Sequence, residues 1–191
     1  MQLSTVISDA VLAGVSFYCA WGVYLAGSRY GAIGLGLVGL ASLAGVFRFS
    51  VLPQIAPLHS MLSGMAGQVG IPLLALSFLS AVFQIPSTDS KILVLGGLLL
   101  IAFLFNRLVF SIPAYGIVIG GLAALAIVIA GVRALPGTAG LLAIAGAIIL
   151  IVAGLAIGSS GTMAGFKRVD LYHYVLAVSM YMMGTALRQL T

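Results

Sequence analysis

The sequence predicts an all-α integral membrane protein: a seven-transmembrane helix bundle with short loops. Three observations carry this reading. Of 191 residues, 62% are hydrophobic and 6% are charged, whereas a soluble domain carries about 25% charged residues. The mean hydropathy is +1.28, and eight Lys/Arg with three Asp/Glu cannot cover a water-facing surface. The apolar residues also fall into runs of roughly the 20 residues that cross a bilayer.

Reading between charges and turn residues gives seven spans. The first is Val6–Ala26, stopped by Gly27-Ser28-Arg29. The second is Ala32–Phe47, stopped by Arg48. The third starts after Pro53 and Pro57 and runs to Phe83. Within it, Pro72 removes one backbone donor and is expected to kink the helix. The fourth is Ile92–Phe110, closed by Pro113, and the fifth is Ala114–Val132, closed by Arg133 and Pro136. The sixth is Thr138–Ile157, ending in Gly158-Ser159-Ser160-Gly161. The seventh is Val169–Leu187. Only Ser111-Ile112-Pro113 separate the fourth from the fifth, so six spans is the alternative count.

Seven crossings of about 20 residues leave no room for a second domain, so residues 1–191 are expected to form one transmembrane domain. The longest connections, 84–90 and 158–168, are rich in turn residues. The start lacks a basic region, contains Asp9 and runs on to spanning length, unlike a cleaved signal. The first helix is therefore expected to stay in the mature protein.

The net charge of +5 comes from Lys and Arg scattered singly. They make no basic patch, which argues against a nucleic-acid partner. One cysteine excludes an internal disulfide and a Cys-based metal cluster within one chain. Glycines are frequent in span two (Gly31, Gly34, Gly36, Gly39, Gly45) and near span six (Gly140, Gly146, Gly154, Gly158). Small residues let helices approach closely in lipid, so these read as packing sites rather than a pore wall. They also offer faces on which a homo-oligomer could form.

The polar residues gather at one end. Asp9 opens span one, Arg48 closes span two and His59 lies near the start of span three. Asn106 and Arg107 end span four, and Asp170 and His173 open span seven. All fall on the side of the first loop residues before span one. Charged groups inside a membrane are costly and normally face the bundle interior. Helical spacing aligns His59, Ser63 and Gly67, and likewise Asp9, Ala13, Ser16 and Ala20. It also aligns Asp170, His173, Ala177, Tyr181 and Gly184. Asp9, His59, Asp170 and His173 are expected to share one cavity. Loop cations divide four against four, so the positive-inside rule alone gives no orientation. If Arg48 and Arg107 point into the site, the remaining charges favour an outside N-terminus and a cytoplasmic C-terminus.

Several chemistries use such residues. A zinc ion held by His59, His173 and a carboxylate could activate water, with Asp9 as a ligand or general base. Two histidines at similar depth could ligate a haem iron. Retinal in its usual linkage is excluded, because span seven has no internal lysine. Arg48, Arg107 and Arg168 could hold an anionic headgroup, with Ser63 and Tyr181 beside it. A non-catalytic transporter, channel or complex subunit is the alternative to an enzyme.

The stretch Phe166-Lys167-Arg168-Val169-Asp170-Leu171-Tyr172-His173, followed by Gly184 and Leu187, resembles the last helix of the CREST superfamily. These are seven-helix membrane proteins that include alkaline ceramidases and adiponectin-receptor-like proteins. Their uncharacterised bacterial branch has a similar Asp on helix one and Asp-x-x-His on helix seven. The resemblance implies an inner-membrane protein acting on, or binding, a lipid or other amphipathic substrate. It implies amide or ester hydrolysis, with Asp9 and Asp170 in catalytic positions and His173 as a zinc ligand. The chain departs from the family pattern at Val46-Phe47-Arg48-Phe49, where a histidine is expected, so His59 would have to substitute. With two histidines and Arg48 and Arg168 nearby, an anion is the better expected occupant than a cation.

Overall fold

The computed structural model describes residues 2–85, 88–112, 114–134 and 137–190. Pro113 and Pro136, expected to close spans four and five, lie outside the described residues. Eight α-helices run as α1 (Leu3–Leu25), α2 (Arg29–Ser50), α3 (Ala56–Met65), α4 (Ile71–Phe83), α5 (Asp89–Phe105), α6 (Tyr115–Ala134), α7 (Gly137–Val152) and α8 (Arg168–Leu190). They form seven rods, because α3 and α4 are joined by a π-helical turn, Ala66–Gly70. Further π turns extend α5 through Asn106–Phe110 and α7 through Ala153–Ile157.

The helices are generally longer than the apolar runs. Arg29 opens α2 and Arg48 lies in its last turn. Arginine is a good helix former, so a charge marks where a span leaves its apolar zone without ending the helix. The fourth and fifth spans are separate helices. Ser111 takes a left-handed conformation (φ 50°) that no helix continues through, and its backbone N–H bonds Asn106 O. The expected irregularity at Pro72 takes the form of the π turn that ends just before Ile71-Pro72. The missing proline donor is absorbed by that wider turn.

Six rods are long and apolar enough to cross a membrane. The seventh, α8, has the length but carries Arg168, Asp170, His173 and Arg188. One feature is not helical: Thr162–Met163 pairs antiparallel with Phe166–Lys167. Ala164 and Gly165, both at positive φ, make the two-residue turn that such a hairpin needs.

Six rods close a ring. α1 packs between α2 and α8, α8 on α7, α7 on α6, α6 on α4, and α4 back on α2. Helix α5 stays outside, against α3 and the first π turn. Phe103 is its one fully buried large side chain, and it lies against Gly64, where a Cβ would come within 2.9 Å of the ring. Glycines do pack the ring. Gly34 meets the Gly70 carbonyl and Gly146 meets Met183 and the Ser179 carbonyl. Gly36 has open space around it.

The two ends of the ring differ. Towards the start of α2 and the end of α8 it is solid: Leu35, Leu74, Phe78, Ile127, Met183 and Leu187 are all wholly buried. Towards the start of α1 and the start of α8 the helices part around a cleft.

Candidate functional site

The cleft has a volume of about 900 Å³, within the roughly 300–1,000 Å³ typical of small-molecule sites. Every rod of the ring lines it, and α5 does not. Its deepest residues, among them Leu12, Val38, Ile71, Ala124 and Met180, lie near the middles of their rods. Beyond them the core is packed, so the cleft is one-ended. Asp9, Arg48, His59, Ser63, Gln68 and His173 line its more polar part. Much of the rest is glycine. Gly116, Gly120 and Gly121 of α6 face it, as do Gly67 and Gly154. Gly154, expected to pack helices, has nothing within 4 Å of a Cβ position. It is part of the cleft wall instead. Ile112, in the link between α5 and α6, also lines the cleft.

Asp9 is wholly buried. Its carboxylate lies flat against Gly45, where any Cβ would overlap it. Across the cleft, His173 Nδ1 is 3.3 Å from Asp9 Oδ1 and 3.2 Å from Ser8 Oγ. The Ser8 hydroxyl donates to Thr5 O at 3.0 Å, so Ser8 Oγ accepts the Nδ1–H proton. His173 Nε2 then keeps its lone pair and has no partner among the described residues. Ser8 and Asp9 share one ring nitrogen, so this is not a Ser-His-Asp relay, which uses both. It is an imidazole oriented by the Ser8 hydroxyl and packed beside the Asp9 carboxylate, with one free base position.

His59 differs. Arg48 donates to its Nδ1 at 2.8 Å, and a guanidinium can only donate. Nδ1 is therefore an acceptor and Nε2 carries the proton, directed at Ser63 Oγ at 3.5 Å. Ser63 in turn donates to His59 O at 2.8 Å. Arg48 also lies 4.7 Å from the Phe49 ring centroid, and Phe49 meets His59 edge-on.

These bonds decide the metal question by chemistry. A ligating histidine needs a free lone pair, and neither nitrogen of His59 has one. Among the described residues, no three His, Cys, Asp or Glu side chains converge as a metal site requires. The residues present do not fit the zinc that the CREST resemblance implies, nor a bis-histidine haem. In place of the expected metal pair, His59 is locked to Arg48 and His173 to Ser8 and Asp9.

The other expected site residues divide. Asp170 is buried, with Oδ1 unpartnered, but it does not line the cleft; it sits behind His173. Arg107 is exposed and donates to Ser60 Oγ at 3.2 Å, touching the cleft only through that serine. Arg168 is outside the lining, with Nε buried and unpartnered. Tyr181 is 52% exposed and takes no part. It sits at the edge of the buried arc of α8, whose centre runs through Met180 and Leu187. Spacing alone could not tell that edge from the centre.

Three contributors escaped the sequence reading. Gln68 lines the cleft with Oε1 unpartnered; a glutamine within an apolar run is itself a signal. Ser8 orients His173, and Gly45 makes room for Asp9, and only their neighbours in the folded chain reveal either role.

No curated protein and no solved structure matches the chain. Residues 4–191 match the model of DUF6962, a family of unknown function, and the chain belongs to that family.

Proposed function

We propose that this is a seven-span membrane protein, CREST-like in outline, whose cleft binds a lipid or other amphipathic molecule drawn from one leaflet. The observation that carries this is the one-ended cleft itself. Ionisable groups ring its mouth, and glycine and aliphatic side chains line its floor. Such a shape takes a polar headgroup at the end of the bundle and an apolar chain towards mid-span. A cleft packed shut at half depth does not suit a channel.

Two further features support the membrane setting. Tyr18, Trp21 and Tyr24 are all exposed near the closed end, as in the aromatic belts at membrane interfaces. The 23-residue α8 turns its polar groups Asp170 and His173 inward, so its low hydropathy reflects the site rather than a soluble helix. With Arg48 inside the cleft, Arg107, Lys167 and Arg168 stand against Arg29, Lys91, Arg133 and Arg188. The excess favours a cytoplasmic C-terminus, in a bacterial inner membrane.

If the bound molecule is turned over, ester or amide hydrolysis fits the residues. His173 Nε2 would take a proton from water as the oxygen attacks the carbonyl carbon, then return it to the leaving group. Ser8 would hold the imidazole in position, and the adjacent Asp9 carboxylate would stabilise the imidazolium as it forms. No step requires a metal.

The test is lipid retention. Protein purified in mild detergent should keep a lipid by native mass spectrometry. Gly121→Leu, which fills the cleft at a position with free space, should lose it. Equal retention by both proteins would overturn the assignment.

A further inference from the structure

The buried carboxylate of Asp9 is short of donors. Its side chain is 1% exposed, it lines the cleft, and neither oxygen accepts a hydrogen bond from the described residues. The nearest donor, His173 Nδ1–H, is given to Ser8 Oγ. The deficit is local and shared. Thr5 Oγ1, one turn earlier on α1, is unpartnered, and so is Asp170 Oδ1 behind His173. An ionised carboxylate out of water and without donors is unfavourable unless a positive group reaches it. Among the described residues, no positive group hydrogen-bonds to it.

Arg48 presents the opposite situation. It lines the same cleft and gives one nitrogen to His59, with no other protein acceptor among the described residues. A guanidinium has five N–H donors, so most remain for a ligand. The two groups are close along α2. The Asp9 carboxylate touches Gly45, and Arg48 is three residues further on. Residues so spaced on a helix are about 5–6 Å apart. The cleft therefore carries an acceptor-rich carboxylate and a donor-rich guanidinium, anchored one helical turn apart along α2.

Resting on the lipid-binding reading above, we propose that the cleft is specific for a zwitterionic headgroup: a primary ammonium at Asp9 and an anionic phosphate at Arg48. A primary ammonium has three N–H donors and no acceptor, which matches the unpartnered carboxylate oxygens. A quaternary ammonium has no N–H and cannot satisfy them. A headgroup with phosphate alone leaves Asp9 facing an anion. The same chemistry exists in a free phosphoethanolamine, so the source of the headgroup is part of the test.

The experiment uses the full chain in nanodiscs of a neutral carrier lipid. Phosphatidylethanolamine, phosphatidylcholine and phosphatidylglycerol with identical acyl chains compete for the cleft, read by native mass spectrometry. The expected result is a preference of about tenfold or more for the ethanolamine lipid, the order of one charge-assisted hydrogen bond. Asp9→Asn should abolish that preference and strengthen phosphatidylglycerol binding, because the anion no longer faces a carboxylate. Arg48→Gln should weaken both. Soluble phosphoethanolamine displacing the lipid would place recognition in the headgroup alone. Its failure to compete would make the acyl chain part of the site, and both results keep the zwitterion.

Equal binding of the three lipids by the wild-type protein would overturn the zwitterion while sparing the lipid-binding reading. An unchanged preference in a folded Asp9→Asn protein would also overturn it. No lipid bound in the wild type, with Gly121→Leu indistinguishable, would sink both. The wild-type headgroup comparison decides the matter even if Asp9→Asn does not fold.

Discussion

His173 Nδ1 lies 3.3 Å from Asp9 Oδ1, and this contact ties the last helix of the ring to the first beside the open end. It places a buried carboxylate against one face of an imidazole and leaves the other nitrogen to the cleft. Neither residue could reach its role without α1 and α8 being neighbours, which is where the ring closes. The pair thus serves structure and site together, and variants should separate the two.

Removing the imidazole tests the structural share. His173→Ala leaves Ser8 without its donor and Asp9 without its nearest neighbour, at a cost of about 1–3 kcal/mol. The melting temperature in detergent should fall. His173→Gln, whose amide can still donate to Ser8, should recover much of that loss while remaining unable to act as a base. Full hydrolytic turnover by a folded His173→Gln protein would remove the general-base role.

The fit of Asp9 against α2 depends on Gly45 having no side chain. Gly45→Ala places a methyl group on the carboxylate, so α1 and α2 must separate or Asp9 must turn. Overpacking of this kind costs about 1–3 kcal/mol. Gly36→Ala, on the same helix with open space around it, should be neutral or stabilising by up to about 1 kcal/mol. Adding Asp9→Ala to Gly45→Ala should restore part of the loss, because the clashing groups are gone. Additive losses in the double variant would mean that the two residues do not touch.

The fold was legible from the sequence to a different degree than the site. Seven rods could be read because apolar runs and Gly or Pro breaks mark them, even though Arg29 and Arg48 made span two look shorter than α2. The grouping of Asp9, His59 and His173 was legible because charge within an apolar run has few places to go. The details within that group were not. Whether His59 is a ligand depends on Arg48 donating to Nδ1, a contact between two helices that no spacing records. Tyr181 shares a helical phase with His173 and still faces outward, since the ring buries one arc of α8 and periodicity fixes only its width. Gly154 looked like a packing residue because a glycine reads alike whether a helix or an empty cleft lies opposite.

Metal content gives a direct check on the hydrogen-bond assignment. Protein purified without chelator should contain no stoichiometric zinc by elemental analysis, and a chelator should leave its melting temperature unchanged. The reason is that His59 has no lone pair to offer while Arg48 holds its Nδ1. Zinc at one equivalent per chain would show that this bond breaks in the working protein.

Topology follows from the inward position of Arg48 and is testable without knowledge of the ligand. The proposed seven crossings would put the two termini on opposite sides. The loop and terminal cations Arg29, Lys91, Arg133 and Arg188 lie with the C-terminus, and Arg107, Lys167 and Arg168 with the N-terminus. Arg107 is held by Ser60 and Lys167 by Gln2 at 3.4 Å, which leaves both with the end of the bundle that bears the cleft mouth. A fluorescent protein that matures only in the cytoplasm, fused after the last residue, should light up. The same reporter at the N-terminus should stay dark. Bright signal from both ends would mean an even number of crossings and would overturn the seven-span reading. Bright signal from the N-terminus alone would invert the protein and turn the cleft mouth to the cytoplasmic leaflet. The proposed lipid ligand would then have to be sought in that leaflet.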